Sequence, residues 1–474
     1  MVKLLHLILI LALLQGSKSV DALTQRASED YRRGNFSACR DELRQALKED
    51  PHNAVLWGYL GLTEANLNMI DFAINDFQKS LSLAPENAET HFSLGLLYRR
   101  KGETNKALEM YRQGLALDAN DASANQSYAS LLVASERYRE AIAPLQRLQK
   151  IKGSAPSVRV VLTECYLKSG MRELGEKEIQ DFLDASNAST TDHFNLAKVL
   201  LDNHEVELAQ KVLRHAVLVA PDSAEAHAKL GVLFADKNQF EDAAQELTHA
   251  VRLMPDSAEY SMELAAVLLL WQHYSSALEF LTTVRDRFEK LPEYQYKVAL
   301  AFYGLNLYPE AITKLDGLAR EHPDMDLVQY FLGNSYLAEG DLDKPEPYYR
   351  RAIELNPKNP LYYKSLGVLL RRQGPARMDE AIKALTRVLF LDAGDLQAKL
   401  ELALCYEEQR NYSQAQGLLE EVVQRQPGLL PAHVALARAY YRQKKKPEGD
   451  RERVIISRLV AEEQGKLSQP PSSK

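Results

Sequence analysis

Histidine, cysteine and carboxylate side chains are the groups in this chain that could carry out chemistry, and their spacing decides whether they do. A hydrolytic zinc site needs two imidazoles one helical turn apart with a carboxylate between them, and none of the 11 histidines pairs that way. His91, His193 and His227 are instead separated by 34 residues or a multiple of it, as are His215 and His249. His433 falls on the same ruler once a two-residue insertion is allowed for. A residue accounted for by its slot in a repeating pattern reads as a packing residue. Cys39, Cys165 and Cys405 are an odd, scattered set, neither a disulfide framework nor a metal cluster, and read as small buried hydrophobes. No glycine-rich phosphate cradle and no serine nucleophile elbow occurs. Adjacent carboxylates such as Glu407 and Glu408 read as solvated helix surface, and Lys444, Lys445 and Lys446 as a solvated turn. No catalytic, cofactor-binding or metal-ligating residue is expected, no cofactor, and no enzyme activity. The 474 residues are 46% hydrophobic and 26% charged, apolar enough to fold. A formal net charge of -7 offers no concentration of lysine and arginine to neutralise phosphates, so no nucleic-acid partner is expected.

The pattern that absorbs the histidines runs through most of the chain. Trp57, Leu60, Gly61, Ala73, Phe77 and Pro85 set it out, in a repeat that starts at Ala54. One period later come His91, Leu94, Gly95, Tyr98, Ala107 and Tyr111, and further on His227, Leu230, Gly231, Phe234, Ala243, Leu247 and Pro255. The ruler runs from Val20 to about Gly374, takes up two extra residues between Gly374 and Arg377, and resumes at Leu396 and Leu430, giving about 13 slots. The apolar residues recur at helical spacing within each half of a repeat. A small residue at the eighth position and alanine at the twentieth let two helices approach closely, and large residues at the fourth, seventh, eleventh and twenty-fourth surround them. Proline near the end stops the second helix. Asn53, Asn87, Asp121, Ser189, Ser223, Ser257, Asn359 and Asp395 are then placed to cap first helices. The pattern is weakest in the repeats from Ala122, Pro156 and Thr190, where Thr163 fills the small eighth slot and Gly153 the closing one. Pro345 in the alanine slot predicts a late start to its helix rather than a break.

These residues resemble the tetratricopeptide repeat (TPR) family over residues 20–463. The resemblance implies an all-α, right-handed superhelical solenoid of tandem antiparallel helix pairs with a concave groove lined by the first helices. It implies a protein or extended-peptide partner. Ahead of the array, residues 1–19 carry a basic start, an apolar run from Leu4 to Leu14 and small residues at Ser17 and Ser19. That order describes a secretory signal peptide cut after Ser19, an exported (secreted or periplasmic) protein, and no integral membrane segment after cleavage. Residues 464–474 read as a disordered tail. Sequons stand at Asn35, Asn125, Asn187 and Asn411.

In the family the inner surface comes from the second, fifth, sixth, ninth, twelfth and thirteenth positions of a repeat. Carried onto this chain, those slots give Arg99, Arg100, Lys168, Lys198 and Lys229, interrupted by Glu164, Asp202 and Asp236. An acidic step follows at Glu259 and Glu263, then Tyr296, Tyr303, Tyr330 and Phe331 with Lys297 and Asn334. The aromatics are either anchors for a peptide or padding between repeats. Neither the carboxylate clamp of chaperone-binding members nor the asparagine ladder of the sugar-transferase members is matched; Asn195 alone sits in the ladder slot. The expected function is a non-enzymatic binding scaffold exported from the cytoplasm. A glycan-binding accessory of an envelope polysaccharide system and a cytosolic TPR adaptor are the alternatives.

Overall fold

The computed structural model describes residues 18–152, 155–185 and 187–467. The signal-peptide reading falls on residues that lie, up to residue 17, outside the described ones, as does Gly153. The chain is all-α and forms two compact units, Met1–Asp222 and Ser223–Lys474. Among the described residues the N-terminal unit holds six helix pairs and the C-terminal unit seven, each pair packed tightly on itself and stacked on its neighbours within the unit. Successive first helices begin at Ala54, Ala88, Ala122, Pro156, Thr190, Ala224, Ala258, Pro292, Asp326 and Pro360, then, past the insertion, at Leu396 and Leu430. The weak repeats from Ala122 to Val219 form helix pairs like the rest.

The close approach of paired helices is visible in the glycines. A Cβ on Gly231 would sit 2.8 Å from Leu247, and one on Gly333 2.7 Å from the Tyr349 ring. The opposing alanines Ala73, Ala107, Ala243, Ala311 and Ala415 are 0% exposed. All eight predicted caps accept a backbone N–H from the first turn they precede, and Ser189 forms a full capping box with Asp192. Between the two helices of every pair one residue takes positive φ, always at the same slot. Glycine fills it at Gly34, Gly102, Gly170, Gly340 and Gly374, and a side-chain-bearing residue in the other eight, from Asn68 to Lys444.

Two second helices leave the ruler. Pro345–Leu355 starts three residues late with Pro345 in its first turn, and Met378–Leu391 starts two residues late, behind Gly374 (φ 108°) and a 3-10 turn at Pro375–Arg377. The last helix runs from Lys446 to Leu467, so residues 464–467, expected in the tail, are helical. The first helix begins at Lys18, and Val20 is buried in the core it shares with Leu43 and Leu60.

Candidate functional site

The candidate cations of the N-terminal unit all lie on first helices. Arg99 and Arg100 end Ala88–Arg100, and Lys168 ends Pro156–Lys168, where the helix dipole favours positive charge. These three and Lys198, on Thr190–Asp202, are exposed. Arg100 donates to the Asn68 side-chain oxygen at 2.8 Å. The four cations stand on three first helices, Ala88–Arg100, Pro156–Lys168 and Thr190–Asp202, so the structure gives a series of separate charges rather than one clamp. In the C-terminal unit Lys229 is held by Glu225 at 3.3 Å.

On the same first-helix face of the N-terminal unit, a cavity of about 100 Å³ opens beside Tyr59, bounded by Gly58, Ser80, Asn87 and Ser93. The Tyr59 hydroxyl is buried without a hydrogen-bond partner, and burial with the Glu89 charge pushes it up to about 12. Gly58 at the fifth position, facing Ser80, was the sequence signal for this space. Nearby, Arg44 holds the fully buried Glu64 at 2.8 Å. Burial and the adjoining Glu64 carboxylate push Asp76 up to about 7 against the pull of Arg44.

The aromatic set of the C-terminal unit is brought together. Phe331 meets Tyr296, Tyr303 and Tyr330 edge-to-face, at 6.1, 5.5 and 5.2 Å between ring centres. Tyr330 extends the chain of rings to Tyr349 and Tyr362, at 6.1 and 5.0 Å. The four predicted rings are half-buried rather than exposed. Tyr349 and Tyr362 are fully buried, and both went unnoticed in the sequence because they occupy ordinary packing slots. Their hydroxyls are anchored: Tyr349 donates to the Asn334 oxygen at 2.7 Å and Tyr362 to Asp326 at 2.8 Å. Burial raises the Asp326 carboxyl, but hydrogen bonds from Asn356 and Tyr362 and from the backbone outweigh it and hold the group below the usual range. Burial pushes the Tyr296 and Tyr303 hydroxyls up, so both remain donors at neutral pH. Glu263, on the acidic step, is also raised, by burial and by Glu293, Glu259 and Asp236, with Lys297 opposing. The set is thus a rigid ring network that keeps part of each of four faces open.

The histidines at the fourth position are buried and bonded. His91 and His433 reach the carbonyls of Pro85 and Pro427 through Nε2, each at 3.0 Å. Trp57, Asn125, Gln295 and Tyr363 donate to the carbonyl six residues upstream in the same way, at 3.0, 2.9, 3.1 and 3.3 Å. In these six repeats the fourth side chain carries a donor that satisfies a carbonyl left over where one repeat turns into the next, whereas Arg159 and Lys399 in the same slot pair with Glu178 and Glu421. His193 stacks on His215 and His227 on His249. The three cysteines are buried, and burial pushes the Cys165 and Cys405 thiols up to about 12. Among the described residues no group of three metal-binding side chains gathers, and no helix is long and apolar enough to cross a membrane.

Comparison with known proteins agrees with this architecture. Residues 18–157 match the family described as the cytochrome c-type biogenesis protein H TPR domain. Residues 194–258, 296–360 and 330–395 match one tetratricopeptide repeat family, and residues 375–428 a second. The protein CTR9 homolog of Arabidopsis thaliana is 33% identical over 111 residues, 22% of this chain and 10% of that protein. The peroxisomal targeting signal receptor of Kluyveromyces lactis is 33% identical over 110 residues, 22% of this chain and 19% of that protein. Anaphase-promoting complex subunit 3 of Schizosaccharomyces pombe is 23% identical over 151 residues, 32% of this chain and 22% of that protein. The chain thus spans between a tenth and about a quarter of the length of the curated relatives it matches. Yeast Tom70, a solved structure, is 16% identical with a TM-score of 0.43, covering 91% of this chain and 96% of that one.

Proposed function

Because the chain is a tetratricopeptide repeat protein, we propose that it is an exported, non-enzymatic scaffold that holds a protein or extended peptide against its first-helix faces. The observation that carries this reading is the ring network of Tyr296, Tyr303, Tyr330 and Phe331. Its rings are fixed by edge contacts and by anchored hydroxyls beneath them, yet keep open area. Rigid, half-exposed aromatics give contact area at little entropic loss, which is what peptide anchors need. Relatives described as complex subunits and as a targeting-signal receptor fit a scaffold of this kind. Export rests on the basic, apolar and small-residue order of residues 1–19. A cut after Ser19 would take two residues from the first helix and leave Val20 in its core.

A crosslinking pull-down from native material tests the scaffold. The wild-type chain is compared with an Arg99→Glu/Arg100→Glu/Lys168→Glu variant and a Tyr303→Asn/Phe331→Asn variant, each checked by thermal melt. A partner lost with either variant supports binding on the first-helix faces; a partner retained equally by both overturns it. Mass measurement of the native protein tests export. A chain beginning at Val20 supports it, and an intact Met1 on cytosolic protein refutes it.

A further inference from the structure

Within the C-terminal unit, a groove of about 390 Å³ lies between two second helices, over the first helix Pro360–Gln373. Its floor is apolar: Leu366 and Leu370, 5% and 1% exposed, with Ile353 and Ala384. One wall is Pro345–Leu355 and the other Met378–Leu391. Among the described residues these are the two second helices that start off the repeat ruler, both late. Departures from a repeat's own rule are where a solenoid acquires a local function. Near the first turns of the two helices an ion-pair staple ties them together: Arg377 to Glu346 at 2.8 Å and Arg350 to Glu380 at 2.7 Å. The groove opens beyond that staple.

The staple also decides the groove's charge. Arg350 is taken up by Glu346 and Glu380, and Glu354 by Arg351 at 3.0 Å. Lys383 and Arg387, one helical turn apart at the mouth, have no carboxylate partner among the described residues. The Arg387 guanidinium lies over Tyr363 and Phe390, at 5.9 and 4.8 Å from the ring centres. Phe390 is 76% exposed, a large apolar ring in water under the Arg387 guanidinium. In a chain of net charge -7, this is a local reversal of sign over an apolar floor.

We propose that this groove is a second binding surface, for an acidic peptide segment that carries an apolar side chain. The apolar side chain enters between Ile353 and Ala384 onto Leu366 and Leu370. Flanking carboxylates meet Lys383 and Arg387, and the Phe390 ring closes over the segment. None of Tyr296, Tyr303, Tyr330 and Phe331 lines this groove, so a segment bound here leaves the faces of those four rings open.

The test is fluorescence anisotropy on the full chain with a labelled dodecapeptide, blocked at both ends, in which glutamates flank one leucine and one phenylalanine. Two counterparts carry lysine for glutamate, or alanine for the two apolar residues. The acidic, apolar peptide binds at least tenfold tighter than either counterpart, and its affinity falls as salt rises. Lys383→Glu/Arg387→Glu weakens it at least tenfold with an unchanged melting temperature, and Ala384→Leu, which fills the floor, weakens it while preserving the salt dependence. Arg99→Glu/Arg100→Glu leaves it unchanged, which separates this surface from the scaffold reading. Equal affinity for the lysine counterpart, full affinity after Lys383→Glu/Arg387→Glu, or no binding at millimolar peptide each overturns the proposal.

Discussion

A bulky residue at the fourth position of a repeat was legible in the sequence as packing, but its hydrogen bond was not. Which carbonyl a turn leaves unpaired depends on backbone geometry that one-dimensional spacing does not contain. The donor at the tip of Trp57, His91, Asn125, Gln295, Tyr363 and His433 is therefore a structural finding. It yields a graded prediction. His433 is 3% exposed and bonds both the Pro427 carbonyl and, through Nδ1, Glu452 at 2.6 Å. His433→Phe keeps the bulk, strands the partly buried Glu452 carboxylate and a carbonyl, and is expected to destabilise the chain by about 2–4 kcal/mol in urea unfolding. Tyr363→Phe removes one longer bond and is expected to lose less than about 1 kcal/mol. Equal losses would show that bulk alone matters at this slot. The sequons separate on the same grounds. Asn125 is fully buried, and its amide nitrogen donates to Ala119 and Asp121 carbonyls at 2.9 and 2.8 Å, while Asn35, Asn187 and Asn411 are exposed. Expressed through a glycosylating secretory route, the chain is expected to carry no glycan at Asn125, and peptide mass mapping reads this directly. A glycan there would mean that modification precedes folding of the repeat from Ala122.

Helix boundaries were the most legible feature, because caps and closing prolines act locally and need no knowledge of the tertiary fold. Asn87, Asp121 and Ser257 cap where their residue types and positions place them. The late start at Pro345 follows likewise from a ring that fits only a first turn. What stayed hidden was how neighbouring second helices are tied. The two late helices are held by Glu346, whose carboxyl is drawn down to about 2 by hydrogen bonds from Arg377, with burial opposing and Arg350 assisting. Arg377 lies 31 residues away along the chain, a contact no local pattern encodes, whereas Arg350, four residues on, is an ordinary i,i+4 helix pair. The folded-state value is below the unfolded one, so the stabilisation is present above about pH 4.5 and is lost as pH falls through about 2. Solvent screening of the partly exposed arginines keeps its size below about 3 kcal/mol. Asp76 acts with the opposite sign. Its folded value near 7 exceeds the ordinary 3.8, so stability declines as pH rises between those two values. Asp76→Asn is expected to flatten the slope between pH 4 and 7 and to raise stability at pH 8, whereas Glu346→Gln removes the acid-side loss and lowers stability at pH 7. Urea midpoints across pH 2–8 check both, and parallel profiles for wild type and Asp76→Asn would refute the assignment to Asp76.

At the scale of the molecule, a stack in which each helix pair touches only its neighbours should transmit damage over one repeat and little further. The candidate aromatic surface makes this testable, since it is built across three consecutive repeats of the C-terminal unit. Its rings come from helices Pro292–Gly304, Asp326–Ala338, Pro345–Leu355 and Pro360–Gln373. The sequence showed the individual aromatics but not that Tyr349 and Tyr362 join them, because the joining contacts cross repeat boundaries. Gly333 packs directly on this network: a Cβ there would meet the Tyr349 ring at 2.7 Å. Gly333→Ala must displace that ring or part the two helices, at roughly 1–3 kcal/mol. The displacement loosens the Tyr349 hydroxyl from Asn334 and the Tyr349 ring from Tyr330, so the open faces lose their fixed geometry even where the helices survive. Amide exchange followed by mass spectrometry should therefore rise in residues 326–355 and, less steeply, in the adjoining 292–321 and 360–391. Residues 412–467 and the N-terminal unit should keep wild-type rates. A partner bound at the ring network should be weakened by the same substitution, and so should the acidic-peptide groove, because one of its walls is Tyr349's own helix, Pro345–Leu355. Uniform acceleration along the whole chain would instead mean that the repeats unfold as one cooperative body.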